Sequence, residues 1–186
     1  MNSKFILSLF LMLLCMTMPA FPTEEPEFIP KKVNFGFKAA EKRKVDVIII
    51  HSVYNASGGE KYDVDLIIRQ FARYKVSPHY LIDRTGKIYR MVADKDIAYH
   101  AGESRLPDGT SGINSRSIGI EIITSLDEAP SDQQIDATVA LVQYLQEKYP
   151  VKYVLRHSDI APGRKTDPWN MDWETFVGRI GKIKDE

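Results

Sequence analysis

The side chains with the greatest chemical capacity in this chain are His51, Glu121, His157, Lys165 and Asp167. Two imidazoles and a carboxylate are a usual three-protein donor set for catalytic zinc, with one position left open. His51 follows the β-prone run Val45-Asp46-Val47-Ile48-Ile49-Ile50, and His157 follows Tyr153-Val154-Leu155 after one residue. Both are therefore expected at the C-terminal ends of strands, the edge at which open α/β sheets bind ligands. Pro162-Gly163 forces a turn that can bring Lys165 and Asp167 back toward His157, and Pro168 holds Asp167 extended. Each histidine alone reads more readily as a partly buried, hydrogen-bonded side chain. Two at equivalent strand ends, with a carboxylate on the adjoining loop, favour a metal site.

Glu121 interrupts the apolar run Ser117-Ile118-Gly119-Ile120-Glu121-Ile122-Ile123. It either points to water from a sheet edge or is partly desolvated, which raises a carboxyl pKa toward the range of a general base. Lys165 is either an ordinary solvated lysine or an ammonium aimed at a developing oxyanion. Cys15 is the only cysteine and lies in the leader, so thiolate is excluded as ligand or nucleophile. Any zinc site must then use His, Asp or Glu.

Strands and helices alternate along the chain. The Val45 run and the Ser117 run read as central strands buried on both faces. Asp63 can cap a helix carrying Leu66, Ile67, Phe71 and Tyr74 on one side. Two short strands around Arg84-Thr85-Gly86 make a hairpin. Ser131 and Gln134 form a capping-box pattern that opens a helix with Ile135, Val139, Val142 and Leu145 on one face. A last amphipathic helix is expected over 173–183. The glycine-bearing stretch 100–114 is too long for a mere connector and is a candidate substrate loop. The expectation is an α/β fold: a single domain whose mixed central sheet has helices on both faces.

Lys4 followed by the apolar run 5–18 reads as a secretory signal, with cleavage near Ala20. The run is shorter than the roughly 20 apolar residues of a membrane span. Residues 21–43, rich in Pro, Glu and Lys, read as an arm that is poorly ordered or draped over the domain. The 25 basic and 25 acidic residues balance, which leaves no electrostatic footprint for nucleic acid or for an anionic membrane.

Five motifs together resemble the zinc-dependent N-acetylmuramoyl-L-alanine amidases of the AmpD-like and phage-lysozyme type, relatives of peptidoglycan recognition proteins. They are Ile48-Ile49-Ile50-His51, Ser77-Pro78-His79-Tyr80-Leu81-Ile82, Tyr99-His100-Ala101-Gly102-Glu103-Ser104, Asn114 to Glu121, and His157 to Pro168. The resemblance implies that His51, His157 and Asp167 bind zinc and that Glu121 and Lys165 assist catalysis. It places His79, His100 and Asn114 at the substrate. It implies hydrolysis of the amide between the lactyl group of N-acetylmuramic acid and L-alanine, in peptidoglycan or muropeptides. Some members use cysteine as third ligand; here the position is Asp167. Arg105-Leu106-Pro107-Asp108 stands where the family often has an aromatic. The implied organisation is a signal over 1–20, an arm over 21–43 and an amidase domain over 44–186, acting as a periplasmic or secreted monomer without stable membrane insertion. A non-catalytic peptidoglycan-binding module of the same fold, and a zinc peptidase, remain the alternatives.

Overall fold

The computed structural model describes residues 24–181; the expected signal peptide lies outside them. The arm contributes β1 (Phe28–Pro30) and β2 (Phe37–Lys38). Then follow β3 (Val47–Val53), α1 (Val64–Tyr74), β4 (Tyr80–Ile82), β5 (Ile88–Arg90) and β6 (Ile97–Ala98). After a 3-10 turn at Ile113–Ser115 come β7 (Ser117–Ile123), α2 (Asp132–Lys148), β8 (Tyr153–Arg156), the single-turn α3 (His157–Ile160) and α4 (Trp173–Ile180).

Six strands form one sheet in the order β1-β5-β4-β7-β3-β8. All neighbours are parallel except the β4–β5 hairpin, so the sheet is mixed, as the sequence suggests. The arm is part of this sheet. β1 extends it parallel to β5, and Pro30 is tolerated because β1 lies at the edge.

The two faces of the sheet are filled differently. Because side chains alternate along a strand, Ile48, Ile50, Ile118, Ile120 and Ile122 share one face. They pack against Val139, Val142 and Leu145 of α2 and Phe176 and Ile180 of α4. Helix α2 starts where its capping box predicts, with reciprocal hydrogen bonds between Ser131 and Gln134.

The opposite face carries two separate apolar clusters. Val53, Leu81 and Ile123 pack under Ile67 and Phe71 of α1, which is capped by Asp63. Tyr74 continues the helix sequence but is 65% exposed. Val47 and Ile49 pack under Ala101, Leu106 and Ile113 of the 100–114 loop and Ile160 of α3. Between these clusters, on the same face, β3 presents His51 and β7 presents Glu121. The polar residues thus sit in a gap between two lids.

Candidate active site

His51 lies inside β3, which runs on to Val53, so it is not the residue after the strand as its sequence suggests. Register supplies its neighbours: His51 pairs with Glu121 of β7, and Glu121 pairs with Leu81 of β4. His157 is the first residue of α3, directly after β8. The loop after α3 turns at Gly163, which has φ +77°. It returns Asp167 to His157, and the Ser158 amide donates to the Asp167 carbonyl at 3.0 Å. The sharp turn therefore does what the Pro162-Gly163 pair predicts.

Three donor atoms converge. His51 Nδ1 and His157 Nδ1 are 2.9 Å apart, and Asp167 Oδ2 lies 3.0 Å from His157 Nδ1 and 3.4 Å from His51 Nδ1. All three residues are buried. Tetrahedral ligands bound at zinc's usual ~2.0–2.1 Å stand about 3.3 Å from one another, so this triangle fits the ion in both donor type and spacing. Burial pushes the His51 imidazole down to about 4, against the pull of Asp167, which keeps it the neutral ligand that a metal requires.

Glu121 keeps part of its surface on the cleft, but its Oε2 atom is enclosed and has no hydrogen-bond partner. Burial and then the Asp167 carboxylate push its pKa well above the ordinary carboxylate value, with Lys165 opposing. A carboxylate with one enclosed, unpartnered oxygen beside a donor triangle is the environment of a base awaiting a proton.

The cleft encloses about 530 Å³ and is lined by Glu121, His157, Lys165 and Asp167 together with His100 and Ser52. Tyr74, Tyr99 and Trp169 form its apolar margins. Trp169 leans on Tyr54 with ring centres 5.8 Å apart.

The other expected site residues are placed differently. His79 is fully buried; its Nδ1 accepts from the Gly119 amide at 3.0 Å, and its Nε2 lies 3.1 Å from the Asp96 carbonyl. Burial, and then the Arg43 guanidinium, push its imidazole down to about 3. Asn114 turns inward, and its Oδ1 accepts from the His100 and Ala101 amides at 3.1 and 2.9 Å. Neither side chain lines the cleft. His100 reaches the cleft wall but spends its ring nitrogens on His51 and Ser117.

Two contributors were not visible as site residues. Arg43, at the end of the arm, donates to the backbone carbonyls of Asp94, Asn114 and Ser117. Gly119 faces the His100 ring so closely that an added Cβ would lie 2.4 Å from it. A glycine two residues before Glu121 in a β-branched strand was the available signal, since strand glycines often mark close approach.

The family model described as N-acetylmuramoyl-L-alanine amidase matches residues 41–170, a span that holds every donor and every cleft residue named above. The chain belongs to this amidase family. It is 39% identical over 116 residues to the 1,6-anhydro-N-acetylmuramyl-L-alanine amidase AmpD of Escherichia coli strain K12, covering 61% of this chain and 63% of the relative. The chain spans 59% of the corresponding Haemophilus influenzae relative, under two thirds of its length. An AmpD crystal structure superposes with a TM-score of 0.71 at 25% identity, covering 88% of this chain and all of that one. The amidase AmiD from E. coli, solved with the substrate anhydro-N-acetylmuramic acid-L-Ala-D-γ-Glu-L-Lys, superposes with a TM-score of 0.61 at 27% identity. That match covers 76% of this chain and 60% of AmiD. The mixed sheet with helices on both faces is thus the family's architecture.

Proposed function

We propose that this amidase is a zinc enzyme that hydrolyses the amide between the lactyl group of N-acetylmuramic acid and L-alanine in muropeptides or peptidoglycan. The observation that carries the reading is the buried triangle of His51, His157 and Asp167 beside the enclosed, unpartnered Oε2 of Glu121. The substrate bound to AmiD supports the choice of bond.

His51, His157 and Asp167 would hold the ion. When bound, zinc supplies Lewis-acid chemistry, lowering the pKa of water and polarising a carbonyl. Glu121 takes a proton from the water that adds to the amide carbon, and its raised affinity for protons suits that task. Lys165 faces the same cleft, where its ammonium can stabilise the oxyanion of the tetrahedral intermediate. The proton held by Glu121 then passes to the L-alanine nitrogen as the C–N bond breaks, so one water is consumed per amide cleaved.

The amidase would act outside the cytoplasm, in the periplasm or beyond. The support is Lys4, the apolar run 5–18 and Ala20. Mass spectrometry of the mature N-terminus tests this; soluble protein retaining Met1 contradicts it. A monomer suffices for the chemistry, because one chain supplies every group named.

Incubating the protein with a defined muropeptide and weighing the products tests the activity. A free peptide beginning with L-alanine is expected. Cuts within the peptide would make it a peptidase, and intact bound substrate would make it a binding module.

A further inference from the structure

The outward nitrogens of both histidines of the donor triangle are held by one dipeptide. His51 Nε2 meets His100 Nδ1 at 2.9 Å, and His157 Nε2 meets the Ala101 carbonyl at 3.2 Å. A carbonyl only accepts, so His157 carries a proton on Nε2.

The His51 side follows from a longer chain of the same logic. Ser117 Oγ donates its single proton to the Ile113 carbonyl at 2.7 Å. The Ser117 oxygen, 3.1 Å from His100 Nε2, must then accept, which puts the His100 proton on Nε2. His100 Nδ1 is therefore an acceptor, and His51 donates to it from Nε2. The Nδ1 of His51 is left facing Asp167 and His157 Nδ1. The Ile113 carbonyl thus sets the tautomer of His51 through two intervening side chains.

The dipeptide itself is fixed on two sides. Asn114 Oδ1 takes both of its amides, and the His100 ring lies against Gly119, where no side chain fits.

We propose that His100-Ala101, clamped by Asn114 and seated on Gly119, is a positioning element that fixes His51 and His157 with both Nδ1 atoms turned toward Asp167. His100 and Asn114 then act on the metal site rather than on substrate. This rests on the zinc reading for its consequence but not for its geometry. Groups that orient ligating histidines in this way typically change metal affinity by about 10–100-fold when removed.

The test uses the mature chain in two forms. In metal-free wild-type protein, long-range ¹H–¹⁵N correlation of the histidine rings is expected to show both His51 and His157 carrying a proton on Nε2; a bare Nε2 on either overturns the proposal, whether or not the protein binds zinc. Zinc affinity by chelator competition is then measured for three variants. His100→Leu, which keeps bulk and removes the acceptor, is expected to weaken zinc by about 10–100-fold. His100→Asn, which restores an oxygen near the Nδ1 position, is expected to recover most of that loss. Gly119→Ala, which displaces the ring, is expected to resemble His100→Leu. At saturating zinc the KM of His100→Leu for a muropeptide should stay within about twofold of wild type. Unchanged zinc affinity with a raised KM would return His100 to the substrate and overturn the positioning role. If wild-type protein binds no zinc, the functional reading fails, while the tautomer measurement still decides this one.

Discussion

His51 and Glu121 are register partners on the adjacent parallel strands β3 and β7. Their side chains leave the same face of the sheet, one strand spacing apart, about 4.8 Å. The proposed ligand and the proposed base are thus fixed relative to each other by backbone hydrogen bonds. A one-residue slip of either strand would send one of them to the opposite face.

This placement gives the pH dependence a sign. Glu121 must be ionised to accept a proton, and its pKa is raised above the ordinary 4.5. Activity is therefore expected to fall as pH drops through a value above 4.5, and to be full above it. A kcat/KM profile checks this; a rate that stays flat down to pH 4.5 would exclude Glu121 as the base.

Metal removal should affect fold and rate together. An ion that binds only the folded state stabilises it by mass action. A strong zinc chelator is expected to abolish hydrolysis and lower Tm, with both restored by added zinc. Full activity in rigorously metal-free protein would contradict the site. His157→Ala should lose zinc and activity together, because an open three-ligand site has no ligand to spare.

Lys165→Ala is expected to keep one zinc per chain and reduce kcat by about 10²–10³-fold, the usual effect of removing an oxyanion partner. Zinc content by atomic absorption beside steady-state kinetics checks it. A change confined to KM would make Lys165 a substrate-binding residue.

Stability at low pH should depend on Asp94, far from the site. Its carboxylate accepts from Tyr80 at 2.5 Å, Lys148 at 2.9 Å and Tyr149 at 3.0 Å. Burial alone would raise its pKa, but these three donors outweigh it and hold it below 3.8. The unfolded chain then binds this proton more readily, so the stabilisation is present above about pH 4 and lost as pH falls through the folded value. Asp94→Asn should flatten part of the acid limb of stability in denaturant titrations, and Asp94→Ala should cost about 1–3 kcal/mol at neutral pH.

The parts legible in the sequence were those set by local chemistry. β-branched runs marked β3 and β7, and Asp63 and Ser131-Gln134 marked the starts of α1 and α2. The convergence of His51, His157 and Asp167 was legible because strand ends and a Pro-Gly turn constrain where the chain can go. What remained hidden depends on distant partners. β1 is three residues ending in proline, and only pairing with β5 makes it a strand. Arg43 reads as one more cation in a charged arm, yet it joins the Asp94 carbonyl to those of Asn114 and Ser117 at the start of β7. His100 and Asn114 carry polar side chains on a candidate substrate loop, and nothing local says that they turn inward.

The central claim is that ligation and base chemistry belong to different residues of one site. Glu121→Gln keeps size and shape and removes only the base. Zinc per chain and kcat, measured on the same preparation, test it most directly. The account predicts zinc near one per chain with kcat down by about 10²–10⁴-fold. Near-normal kcat with zinc retained, or loss of the zinc itself, would contradict it.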